Sequence, residues 1–152
     1  MYFTKTGIIQ RKLHDLLALE NDYCEPLDVW ETRKGYYRGN GEYVNQDEEW
    51  EEVKTGYRWE CSDNFTRWFR KEIVIPKQVE NRQVFLELDF GGEGIVRING
   101  LIASAVTSYL DANMQQRTRV LLCEVAKPGE VFAVEAEMHT NYMEFNKYRQ
   151  QG

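Results

Sequence analysis

At 152 residues, with 42% hydrophobic and 13% aromatic content, the chain has the size of one domain and is too apolar to stay unfolded. Its 25 acidic residues against 19 basic ones give a formal net charge of -6, which repels a polyanion and excludes nucleic acid as the expected partner. No apolar run approaches the ~20 residues that cross a bilayer, so no membrane partner is expected; the opening MYFTKTGIIQRK lacks the features of a signal peptide, which makes the cytoplasm the expected location.

Residues 1–25 form the first unit. Within TGIIQRKLHDLLALEND, Ile9, Leu13, Leu16 and Leu17 fall near helical spacing, with Thr6 as N-cap and Asn21 near the end. The spacing predicts a short amphipathic helix whose leucine stripe docks on the rest of the chain or on a neighbour, with His14 on its polar side. From residue 27 the pattern changes to short segments rich in aromatic and β-branched residues: LDVWETR, YYRGNGEYV, GYRWE, TRWFRKEIVIP, VFLELDF, GIVRI, RTRVLLCEV and EVFAVEAEMH. Between the second and third lies the acidic run QDEEWEE, read as a solvated stretch that leaves Trp50 partly exposed.

Alternation predicts which side chains look inward. Phe69, Ile73 and Ile75 share a face, as do Val84, Leu86, Leu88 and Phe90, and Phe132, Val134, Ala136 and Met138. Arg70, Glu72, Glu87, Glu135 and Glu137 face out. Pro76 ends a strand, Asn99-Gly100 signals a hairpin and KPGE at 127–130 introduces the last long strand. Many short strands with one wet and one dry face predict a mainly β fold, an antiparallel sandwich of two sheets over residues 26–140, with a barrel as the alternative. The tail, residues 141–152, offers Tyr142, Phe145 and Tyr148 for packing on a following domain.

Cys24, Cys61 and Cys123 are odd in number and widely separated, which predicts reduced thiols rather than a disulfide framework or a zinc site. With His14 and His139 the only histidines, a His-rich metal cluster is excluded. The glycine-rich stretch GGEG at 91–94 lies between two predicted strands, whereas a phosphate loop needs a helix after its glycines, and Glu93 would repel the anion. Glu93 lacks a second acid in its own motif for glycosidase chemistry. The expectation is that Gly91, Gly92 and Gly94 permit unusual backbone angles while Glu93 hydrogen-bonds within the turn.

The stretch from Trp59 through Trp68-Phe69, Pro76, Gly91-Gly92-Glu93-Gly94 and Asn99-Gly100 resembles the N-terminal domain of the α-mannosidases of glycoside hydrolase family 38 in order and spacing. The resemblance extends more loosely from Trp30 to about Met138. After the N-G turn, relatives continue with a glycine, an aspartate and a histidine, where this chain reads LIASAVTSYLDANMQQ. The resemblance implies a jelly-roll β-sandwich, similar to galactose-binding-like domains, that precedes a catalytic module downstream in the same chain. That module, rather than this region, is implied to hold zinc and the nucleophilic aspartate.

Three roles follow from this reading. The domain supports its catalytic partner by packing or by homo-oligomer assembly; it binds mannose-containing glycan directly; or, ranked last, it hydrolyses mannosides alone. For glycan contact the candidates are Trp50, Trp59, Trp68 and Glu93, because aromatic rings beside acids hold the apolar and hydroxyl faces of sugars. Trp59 and Trp68 lie within strand patterns, where packing is the ordinary use of such rings.

Overall fold

A computed structural model describes residues 23–44, 49–59, 65–108 and 117–140. The expected helix at 6–21 and the tail from residue 141 lie outside the described residues. Strand β1 (Val29–Gly39) turns through Asn40 and Gly41, both at positive φ, into β2 (Glu42–Val44). There follow β3 (Glu51–Lys54), β4 (Phe65–Val74), a 3-10 turn at Lys77–Val79, β5 (Val84–Glu87), β6 (Glu93–Ile98), β7 (Leu101–Thr107), β8 (Arg119–Cys123) and β9 (Val131–Thr140). No helix among the described residues is long and apolar enough to cross a membrane.

Among the described residues, seven strands make one antiparallel sheet in the order β2-β1-β4-β9-β6-β7, with β3 sharing an edge of β1 with β2; β5 and β8 form a second sheet of two. The centre of the large sheet is the β4–β9 pair, in register from Phe65↔Thr140 to Val74↔Val131. The predicted alternation holds there: Phe69, Ile73, Phe132, Val134, Ala136 and Met138 are buried, while Arg70 and Glu72 are exposed. These inward residues, with Val96 and Val106, pack against Leu86, Leu88, Val120 and Leu122 of the second layer. Each large apolar side chain so buried contributes about 1.5–3 kcal/mol.

The result is the expected mainly β sandwich. The end of β7 is joined to the chain just before β8 by an isolated bridge, Thr107↔Arg117, and no ladder links the two strands, so among the described residues the two sheets do not close into a barrel. Four details differ from the sequence expectations. LDVWETR and YYRG form one continuous strand, and the acidic run contributes β3, because Val53 is buried opposite Trp30 while Glu51 and Glu52 stay exposed. The described part of GYRWE is not a strand: Gly56 turns the chain at φ +90°, and Tyr57, Arg58 and Trp59 follow in irregular backbone. LIASAVT, read only as the run after a hairpin turn, is the edge strand β7.

Candidate interaction surfaces

The glycine-rich stretch serves two local demands. Gly91 adopts φ +77°, and its N–H donates to the Asp89 carboxylate and the Ser108 hydroxyl, each at 3.1 Å. The Ser108 hydroxyl also donates to Asp89, and the Ser108 N–H donates to the Gly92 carbonyl at 2.7 Å. The acid that ties this turn is therefore Asp89. Glu93 stands exposed at the head of β6, opposite Thr107 and His139, which corrects the expectation that it bonds within the turn. Gly94 meets a different demand, since a Cβ there would lie 1.9 Å from the Glu137 carbonyl oxygen. Only a glycine allows β6 to approach β9 so closely.

The large sheet's outer face carries a layer of aromatic rings and guanidinium groups. Trp68 alternates with the core residue Phe69 and so points away from the core, yet it is only 6% exposed. Its ring lies over Gly35, where a Cβ would come within 2.6 Å of it. Tyr43 packs edge-on against it at 5.0 Å, and the Arg33 guanidinium lies 5.4 Å from its centre. Arg33 also lies 4.7 Å from the ring of half-buried Trp50, and Arg70 lies 4.0 Å from that ring. Such pairs exploit the negative face of the indole.

Charge on this face is matched locally. Arg70 donates to both carboxylate oxygens of Glu31, at 2.9 and 3.2 Å, and these bonds hold the Glu31 carboxyl below its ordinary range. Arg97 donates to Glu137 at 3.0 Å, and the Tyr43 hydroxyl donates to the same carboxylate. Partial burial, followed by that bond to Glu137, pushes the Tyr43 phenol up to about 12.

Trp59 belongs to the opposite side. Its indole N–H donates to the Phe90 carbonyl at 2.6 Å, and its ring meets Phe69 edge-on at 6.1 Å. Phe69 stacks on Phe90 at 4.5 Å, and Trp30 completes the cluster edge-on to Phe90 at 5.1 Å. This cluster lines a groove of about 1630 Å³ between the layers. The four sequence-predicted residues are thus not gathered in one site: Trp50 and Trp68 are joined through Arg33 on the outer face, Trp59 faces the groove, and strand β9 separates Glu93 from Trp68.

Sequence reasoning passed over Arg33, Arg70, Tyr43 and Asp89. The Asp-x-Gly spacing of Asp89 and Gly91 is a local turn signal that could have revealed the last. The others meet only through strand pairing. Among the described residues, no group of three or more His, Cys, Asp or Glu side chains is placed to hold a metal ion, so no step is assigned here to the zinc that the resemblance places elsewhere.

Two antiparallel layers packed face to face place the chain among the β-sandwich domains, the class to which jelly rolls belong. Residues 26–150 match the family model described as alpha-mannosidase, jelly roll domain, and the chain belongs to that family. Comparison with curated proteins and with solved structures gives no match.

Proposed function

We propose that this chain is the non-catalytic N-terminal jelly roll of an α-mannosidase of the family 38 type, and that it braces a catalytic module downstream in the same chain. The observation that carries this reading is the match of residues 26–150 to the jelly-roll domain of α-mannosidases. The outer face suits such a role because Arg70 with Glu31 and Arg97 with Glu137 are already paired there and the ring of Trp68 is already packed, so docking a polar protein surface need not strand those charges. Zinc and the nucleophile are assigned to the downstream module. The free Cys24 and Cys123 fit a reducing cytoplasm.

Two measurements test the proposal. The purified chain is expected to leave a chromogenic α-mannoside intact, and turnover would refute the non-catalytic assignment. Deleting the domain from a longer chain carrying the hydrolase module should lower that module's thermal midpoint by several degrees; an unchanged midpoint refutes the bracing role. Light scattering on the same chain tests assembly of further copies.

A second reading, direct contact with mannose-containing glycan, draws on Trp50. Its half-buried ring is held over two guanidinium groups on the outer face, a fixed platform of the kind on which sugars stack. Titration with mannose oligosaccharides would then change the tryptophan emission, and Trp50→Ala would abolish the change. A flat response at millimolar ligand rejects this reading.

A further inference from the structure

The two ends of the large sheet are built differently. At one end, β2 and β3 carry Glu42, Glu51, Glu52 and Lys54, charges that discourage another chain from adding a strand there. At the other end, β7 reads LIASAVT, seven residues without a charge, a proline or a glycine. One side of β7 pairs with β6. On its other side the described partner is Arg117, which exchanges backbone bonds with Thr107 at 2.8 and 3.0 Å. Backbone groups alternate sides along a strand, so Ala105 presents its N–H and carbonyl on the same edge as Thr107, and there Ser104 and Ala105 line an open cleft. Leu101 and Ile102 are 77% and 68% exposed, the highest values among the described large hydrophobic side chains.

An open, uncharged edge takes a further strand through the same backbone bonds that build the sheet. For a chain of net charge -6, a second copy is repelled over most of the surface, and this edge is where that repulsion is least. An antiparallel pair of identical strands also sets each residue opposite one from the same uncharged stretch, so no like charges meet across the ladder. Ala103 has no partner on β6, and a bulge of this kind twists the edge, which keeps the new ladder short.

We propose that the free edge of β7, residues 101–105, pairs antiparallel with the same edge of a second copy of this chain, joining two large sheets across a twofold axis. Such a contact uses the same patch on both copies and closes at two, while the charged β2 and β3 end resists further addition. Edge pairing buries little area, so the dimer dissociates on dilution. The assignment is independent of the bracing role: a chain that never dimerises refutes this proposal and leaves that one standing.

Sedimentation velocity on the full chain over a range of concentrations tests it. A monomer–dimer equilibrium is expected, and a chain that stays monomeric up to about 1 mM overturns the proposal. Ile102→Lys puts a charge on the exposed edge and should weaken the dimer about tenfold or more. Val74→Lys makes the same charge change at a site 59% exposed on β4, away from the edge, and should leave the dimer intact. Equal effects of the two variants, or none from Ile102→Lys, overturn the proposal. Amide exchange locates the contact: residues 101–105 should exchange about tenfold more slowly in concentrated than in dilute protein, with β2 and β3 unchanged. Protection that appears at β2 and β3 instead also overturns it.

Discussion

Replacing Gly94 by alanine would place a methyl carbon 1.9 Å from the Glu137 carbonyl oxygen and 2.9 Å from both the Glu137 carbonyl carbon and Met138 Cα. A carbon tolerates such an oxygen at about 3.3 Å, so β6 and β9 must part by more than ~1 Å. All three atoms are backbone, and β9 is held on its other side by β4, so no rotamer change relieves the contact. Overpacking of this kind costs about 1–3 kcal/mol, and weakening two neighbouring ladder bonds adds about 1 kcal/mol each. The expected loss is about 3–5 kcal/mol, which lowers the thermal midpoint of a domain this size by roughly 6–20 °C. Urea denaturation at equilibrium measures it. Gly100, at φ +79° with open space around its Cα, is the control: alanine there should cost only the backbone strain of about 1–2 kcal/mol. A Gly94→Ala loss below about 1 kcal/mol with an unchanged denaturant slope would refute the close-approach argument.

The two outer-face tryptophans should part in the same assay: Trp68→Ala is expected to cost about 3–5 kcal/mol for a buried ring, and Trp50→Ala under about 1 kcal/mol for a ring held by exposed cation–π contacts. Equal costs would overturn the placement of Trp68 beneath Arg33 and Tyr43. The Tyr43 phenol, pushed up to about 12, predicts a stability that is complete below the ordinary phenol value near 10 and falls as pH rises from there toward 12, because the unfolded phenol ionises first. Tyr43→Phe should flatten that decline in urea titrations at successive pH values, and an unaltered slope would contradict the raised phenol that burial and the Glu137 bond produce.

Much of the fold was legible because one rule, alternation, governs every strand that has a dry face. In β9 the inward set Phe132, Val134, Ala136 and Met138 is uninterrupted, so both its strand character and its orientation could be read directly. Strand β3 was not legible: three of its residues, Glu51, Glu52 and Lys54, are charged and exposed, and only pairing with Trp30 reveals that Val53 is buried. Strand β7 was missed for a related reason, since an edge strand of small residues with Leu101 77% exposed shows no alternation to read. The candidate surface was legible only as separate residues. Trp50, Arg33, Arg70 and Trp68 come from three segments whose proximity depends on the β1–β4 register, which no local pattern encodes.

The net charge of -6 also has a different meaning once the pairings are known. Glycosidic hydrolysis by a carboxyl pair requires one acid held in its protonated form, which burial or a like charge achieves by raising its pKa. On the outer face Arg70 does the opposite and holds Glu31 below its ordinary range, while Arg97 and the Tyr43 hydroxyl both hydrogen-bond to Glu137. These acids serve as counter-ions that fix the arginines, and the arginines in turn support the rings of Trp50 and Trp68. The inner side differs: its aromatic cluster of Trp30, Trp59, Phe69 and Phe90 turns its indole N–H groups to backbone carbonyls, and charged side chains such as Lys71, Arg82 and Asp89 stand around the groove. The two sides of the large sheet therefore differ in how their rings are held: by guanidinium groups on the outer face, and by one another and backbone carbonyls on the inner one.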